Sequence, residues 1–121
     1  MLETINRVTL MGFVCKAPDI QRISDHQLMC NLTIATKERW KTKDGTQKER
    51  DDYHQVTLVD KAACEFAERA VTPGKLVFVE GKLRTSMKER PNGTKEYKTN
   101  IFVGKSDGGR FTLLTPKDLQ K

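Results

Sequence analysis

Two turn signals, Lys43-Asp44-Gly45-Thr46 and Arg90-Pro91-Asn92-Gly93-Thr94, each separate two runs with strand character. Asp-Gly and Asn-Gly supply the left-handed backbone that a tight hairpin requires, so the runs on either side are predicted to fold back on each other. A chain of 121 residues that spends so much of its length on two long hairpins has room for one core and one small β-architecture.

The runs can be read individually. Residues 5–15 are apolar at most positions, with Gly12 expected as a bend or bulge. Residues 28–35 alternate and pass into Trp40. Residues 53–59 place His54, Val56 and Leu58 on one face and Tyr53, Gln55, Thr57 and Val59 on the other. Residues 76–83 and 97–103 form two further strands, and 111–114 a short last one after the loose stretch 104–110. One helix interrupts them. Asp60 is its expected cap, Ala62, Ala63, Phe66, Ala67 and Ala70 its apolar stripe, and Pro73-Gly74 its stop. Three strands, a helix, two strands and a tail predict an all-β, five-stranded Greek-key barrel, the OB-fold, with the helix between the third and fourth strands. The domain is expected over 1–114, with a short basic tail over 115–121.

Charge is concentrated on the hairpins. The chain nets +6, and residues 37–50 net +3 while 82–98 net +4, leaving −1 for the remainder. That distribution suits a polyanion. Lys41 and Lys43 lie on the first arm, Arg84 and Lys88 on the second. Trp40, the single tryptophan, sits among Lys37, Arg39, Lys41 and Lys43 rather than in an apolar run. A flat ring among cations can stack on a nucleobase while its neighbours neutralise phosphates, whereas the structural alternative is a rim tryptophan capping a hairpin. Tyr53 opens the third strand on the face opposite to Val56 and Leu58 and is the second candidate platform.

Other classes fit poorly. No apolar run approaches the roughly 20 residues that cross a bilayer. The N-terminus lacks the basic start and apolar stretch of a secretory signal, so a cytoplasmic protein is expected. Cys15, Cys30 and Cys64 lie far apart with no CxxC pair, as reduced thiols would, and with His26 and His54 they give no zinc spacing. No P-loop, GxGxxG or nucleophile-base grouping occurs, and the acids are scattered among cations, so neither a cofactor, a metal nor catalysis is expected.

Ile5-Asn6-Arg7-Val8-Thr9-Leu10-Met11-Gly12, Asn31-Leu32-Thr33-Ile34-Ala35-Thr36 running to Trp40, Tyr53-His54-Gln55-Val56, and Val79-Glu80-Gly81-Lys82-Leu83-Arg84-Thr85 together resemble bacterial single-stranded DNA-binding proteins. The resemblance spans residues 5–114. It implies an OB-fold that assembles, usually as a homotetramer, and coats single-stranded DNA in replication, recombination or repair without sequence specificity. Trp40 matches a stacking tryptophan of that family, and Tyr53 stands where another aromatic is usual. Arg7, Lys43, Lys61 and Arg84 fall at positions of basic backbone contacts, and His54 at one associated with the subunit interface.

Departures from the family pattern also carry information. Val59 stands where a stacking phenylalanine is common, and Met87-Lys88 where a further aromatic is frequent. The family typically continues into a long tail with an acidic, Phe-tipped end that recruits partners. Thr115-Pro116-Lys117-Asp118-Leu119-Gln120-Lys121 is short and basic, so recruitment through such a peptide is not expected. An alternative is an assembly factor of the primosomal replication protein N type, dimeric and tail-less, which Gly12-Phe13-Val14-Cys15 would suit. Trp40 and the 80–85 run favour the strand-coating class. An RNA-binding OB domain is a third possibility, since telling ribose from deoxyribose requires contacts to the 2′-hydroxyl.

Overall fold

Alternating side chains build a closed wall. The structure, a computed structural model, describes residues 3–114, so the expected tail over 115–121 lies outside the described residues. In chain order it contains β1 (Val8–Val14), β2 (Asp19–Ser24), β3 (Gln27–Lys41), β4 (Gln47–Leu58), α1 (Lys61–Ala70), β5 (Leu76–Glu89), β6 (Lys95–Val103), a 3-10 turn (Lys105–Asp107) and β7 (Arg110–Leu113). Strands β1, β3, β4, β6 and β5 pair in that order, and β5 closes on β1. This is the expected Greek-key barrel, with the helix between its third and fourth strands.

One parity of each strand fills the barrel. Leu32, Ile34, Val56, Leu58, Val77 and Val79 are each 2% exposed or less, and each such burial stabilises by about 1.5–3 kcal/mol. The ring closes narrowly, because β1 pairs with β3 only at Phe13↔Ala35 and Val14↔Ile34. Gly12 lies at this seam and is no bulge, being in regular register opposite Val77. A Cβ there would stand 2.3 Å from the Ala35 carbonyl oxygen, so glycine is what lets the two backbones cross.

Four further details depart from the expected elements. β1 begins at Val8 rather than Ile5, because the Asn6 side chain takes over the pairing. Its Nδ2 donates to the Leu83 carbonyl and its Oδ1 accepts the Leu83 N–H, both at 2.8 Å. β2 was not anticipated. It pairs along the edge of β3 from Asp19↔Asn31 to Ser24↔Gln27, and only Ile20 packs against the core, so its sequence shows no alternation. Asp60 holds the N-cap position but makes no cap bond. Its Oδ2 instead accepts the Lys105 N–H at 2.6 Å, fastening the start of α1 to the loop after β6. The buried stripe of α1 is also rotated, with Cys64 and Ala67 inward and Ala62 exposed.

Cys30 and Cys64 act as core residues. The Cys64 thiol donates to the Leu58 carbonyl at 3.4 Å. Burial pushes the Cys30 thiol up to about 12, with the neighbouring Cys64 adding to it, and burial pushes Cys64 up to about 11. Both values exceed the ordinary 9.0, so the stability these thiols confer is complete below that pH and is lost as the pH climbs through the raised values. An alkylating reagent at mildly alkaline pH is expected to leave both cysteines unmodified until denaturant is added, as read by mass spectrometry. Modification of the folded protein at either position would show a core that opens locally. Among the described residues no helix is long and apolar enough to cross a membrane.

Candidate nucleic-acid interface

Both hairpins project beyond the barrel as two-stranded fingers. In the first, β3 and β4 stay in register from Cys30↔Leu58 to Lys41↔Gln47. Its turn places Gly45 at φ 86°, with the Gly45 N–H on the Thr42 carbonyl at 3.0 Å and the Thr42 N–H on the Thr46 carbonyl at 2.9 Å. The Thr42 hydroxyl and the Thr46 N–H both donate to Asp44 and hold its carboxyl down to about 2. That lock is complete above the ordinary 3.8 and is released only as the pH falls through the lowered value. The second finger, β5 with β6, runs from Lys82↔Phe102 to Glu89↔Lys95. Its turn repeats the design, with Gly93 at φ 89° and the Thr94 N–H on Asn92 Oδ1 at 3.0 Å.

The fingers diverge where the short parallel contact of β4 with β6 begins, at Val56↔Ile101. Between them lies a cleft of about 660 Å³ lined by Asn31, Gln55, Tyr97, Lys98, Thr99 and Asn100. Tyr53, 63% exposed, stands two residues before Gln55 on the same outward face of β4, opposite Ala35. Trp40, 45% exposed, pairs with Lys48 nearer the tip. The register holds no bulge between Ala35 and Lys41, so strand alternation puts Trp40 on the other face of the finger from Tyr53. About 17 Å of strand separates the two positions, at about 3.4 Å per residue. The two expected platforms are not side by side.

Ion pairing sorts the cations. Lys37 meets Asp51 at 3.9 Å, Arg39 meets Glu49 at 2.8 Å and Arg50 meets Asp52 at 3.1 Å. Such exposed pairs add little stability, but they reduce the charge offered outward. Among the described residues Lys41, Lys43 and Lys48 make no ion pair, so the positive end of this finger gathers around Trp40. On the second finger Arg90 pairs with Glu96, beside Lys88, Lys98 and Ser86. The Arg84 guanidinium carbon lies 5.4 Å from the centre of the Phe102 ring. Arg7 lines a small pocket together with Glu80, Lys82 and Phe102. Lys61 opens α1, exposed, and lines none of these clefts. Of the expected site residues, Arg7 and Arg84 both lie near Phe102, Lys41 and Lys43 follow Trp40 toward the tip of the first finger, and Lys61 stands apart. His54 faces away from Tyr53, its Nε2 at 2.9 Å from the Thr36 hydroxyl.

Sequence reasoning missed Tyr97. It is 66% exposed, lines the cleft and stands opposite Met87. Its setting, Lys95-Glu96-Tyr97-Lys98, repeats the pattern of an aromatic among cations that singled out Trp40. An aromatic face is thus present on the second finger, one strand over from where it was sought. The amides Asn31, Gln55 and Asn100 were missed as well, since single polar residues on a strand give no signal until pairing brings them together. No group of three His, Cys, Asp or Glu side chains placed to hold a metal occurs among the described residues.

The profile of the single-strand binding protein family matches residues 5–107. A curated protein of Rhizobium meliloti, named single-stranded DNA-binding protein, is 31% identical over 104 residues, which are 85% of this chain and 60% of that protein. The chain thus spans 60% of the length of that relative. The SSB of Plasmodium falciparum in complex with ssDNA superimposes with a TM-score of 0.84 at 22% identity, covering 95% of this chain and 99% of that one. A deletion mutant of the single-stranded DNA binding protein from Thermus aquaticus gives a TM-score of 0.74 at 22% identity, over 93% of this chain and 52% of that one. The superpositions share the OB-fold traced above, and with the family profile matched over nearly the whole barrel and both fingers, this chain belongs to the single-strand binding protein family.

Proposed function

We propose that this protein binds single-stranded DNA through features every strand presents, its rings and its phosphates, and so protects it during replication, recombination or repair in the cytoplasm. The observation that carries the reading is the open cleft between two cationic fingers, with Tyr97 lining it, Tyr53 exposed two residues before Gln55 of that lining, and Trp40 toward the tip of one finger. Stacking on such rings contributes about 1–3 kcal/mol per base. Lys41, Lys43 and Lys88 on the fingers, with Arg84 over Phe102 and Arg7 lining the pocket beside it, are the phosphate contacts in this reading. Lys61 takes the outermost place, reached only by a strand that continues past the barrel. The role is binding without catalysis.

Self-association belongs to the same reading. The outward face of β1 carries Met11 at 57% and Phe13 at 44% exposure, an apolar strip that a second copy would cover. A homotetramer is the assembly inferred from the family, and light scattering measures it directly.

Titration of single- and double-stranded oligonucleotides at two salt concentrations tests the function. Single strands are expected to bind far more tightly, with log K falling by about 0.7 per log of salt for each phosphate neutralised. Duplex bound as tightly as single strand, or an affinity indifferent to salt, would overturn the reading. Matched RNA oligonucleotides in competition measure the preference for deoxyribose.

A further inference from the structure

One face of the second finger carries a single acid in the midst of its cations. Cross-strand pairing sets Ser86 opposite Lys98 and Lys88 opposite Glu96, and an unbroken register puts all four side chains on the same face. At the turn the Arg90 guanidinium pairs with the Glu96 carboxylate. These five residues line an open hollow of about 230 Å³.

The two fingers use their acids differently. On the shaft of the first, each acid has its own cation, Asp51 with Lys37, Glu49 with Arg39 and Asp52 with Arg50. In the hollow of the second, one carboxylate stands among three cations, and Lys88 and Lys98 make no ion pair among the described residues. That surplus suits a further anion. A phosphodiester presents two oxygens as a carboxylate does, and a guanidinium donates to either in the same forked geometry. Ser86 adds a neutral hydroxyl donor for an oxygen that the cations leave. The Arg90 and Glu96 side chains are 56% and 38% exposed, and a pair so open to water holds its partners weakly. Lys98 lines both this hollow and the cleft between the fingers, so the two are contiguous.

We propose that Ser86, Lys88, Arg90 and Lys98 form a seat for one backbone phosphate of the bound strand, and that Glu96 occupies it as an internal stand-in until the strand displaces it. The proposal rests on the single-strand reading and adds to it a brake, a carboxylate that the incoming phosphate must expel. Displacement leaves a signature in salt. A neutralised phosphate releases its counterions, but the expelled carboxylate takes up a cation from solution, so this seat contributes less than a full contact to the salt dependence of the wild-type protein.

Glu96→Gln keeps the size of the side chain and removes its charge. Glu68→Gln removes the same charge from an exposed position on α1, outside both fingers, and so measures the effect of net charge alone. Each is titrated with one unstructured thymidine oligomer at two salt concentrations, the lower about 0.1 M, where exposed charges more than ~10 Å apart are largely screened. At the lower salt Glu96→Gln is expected to bind about fivefold more tightly than the wild type, the upper end of what an exposed ion pair holds back. Its log K is expected to fall more steeply, by about 0.7 per log of salt. Glu68→Gln is expected to gain less than about twofold, with the wild-type slope. With Arg90→Gln added to Glu96→Gln, affinity is expected to return to the wild-type value or below, since no guanidinium is left to release. Equal gains in Glu96→Gln and Glu68→Gln would overturn the seat and leave the proposed function standing. A gain that survives the loss of Arg90 would overturn it as well. A wild-type protein that binds no single strand would overturn both readings. None of the three positions is buried, so no variant disturbs the core, and melting temperatures check that each is folded.

Discussion

Alanine at Trp40 is expected to weaken binding of an unstructured single strand by about 1–3 kcal/mol while leaving thermal stability nearly unchanged. The indole lies on the finger beyond the barrel, 45% exposed and paired with Lys48, so its removal opens no core cavity. In the proposed function a base stacks on this ring while Lys41, Lys43 and Lys48 nearby neutralise phosphates. In the wild-type protein the same geometry is expected to quench tryptophan emission as the strand is added, and Trp40 is the only source of that signal. Tyr53→Ala is expected to cost less, since a phenol offers less stacking area than an indole. The two losses should add, because the positions lie on opposite faces and about 17 Å apart along the strand. Emission unchanged at saturation would assign Trp40 to the scaffold, and a loss at Tyr53 as large as that at Trp40 would overturn the ranking of the two platforms.

The largest effect on stability is expected at Gly12. In Gly12→Ala the new methyl would stand 2.3 Å from the Ala35 carbonyl oxygen and 2.8 Å from Ile34 Cγ2. The first neighbour is backbone and cannot swing away, so β1 must move. Overpacking of this kind costs about 1–3 kcal/mol, and the upper end is expected because only two residue pairs join β1 to β3. For a domain of this size that corresponds to a fall in melting temperature of roughly 10 °C. Gly81 repeats the arrangement against the Phe102 carbonyl oxygen, also at 2.3 Å, and its alanine variant should behave alike. A Gly12→Ala protein that melts within a degree or two of the wild type would show that the seam has slack.

Much of this architecture could be read from the chain because local signals agreed with the fold. Gly45 and Gly93 both adopt the left-handed backbone expected of their turns, and the alternation over 53–59 separated the inward Val56 and Leu58 from Tyr53 and Gln55, as found. Where tertiary partners decide, the signal vanished. β2 is an edge strand with one packed side chain, so nothing in Asp19-Ile20-Gln21-Arg22-Ile23-Ser24 alternates. Asp60 has the chemistry of a cap, but a distant N–H, that of Lys105, competes successfully for its carboxylate. Gly12 read as a bend because a glycine within a strand announces an exception without saying which one. For the site, the exposed aromatics among cations were visible one by one. That Trp40 and Tyr53 face apart follows only from the pairing of Ala35 with Tyr53, a fact of register that neither residue carries in its own neighbourhood.

Because its aromatic faces point to opposite sides of a slender ribbon with a bare tip, the first finger works like a bobbin. A polynucleotide that visits both rings is laid around it from the side, and no end has to be threaded through a hole. Under the proposed function a covalently closed circle would therefore be taken up as readily as a broken thread, and a stretch melted in the middle of a chromosome would be as accessible as a frayed terminus.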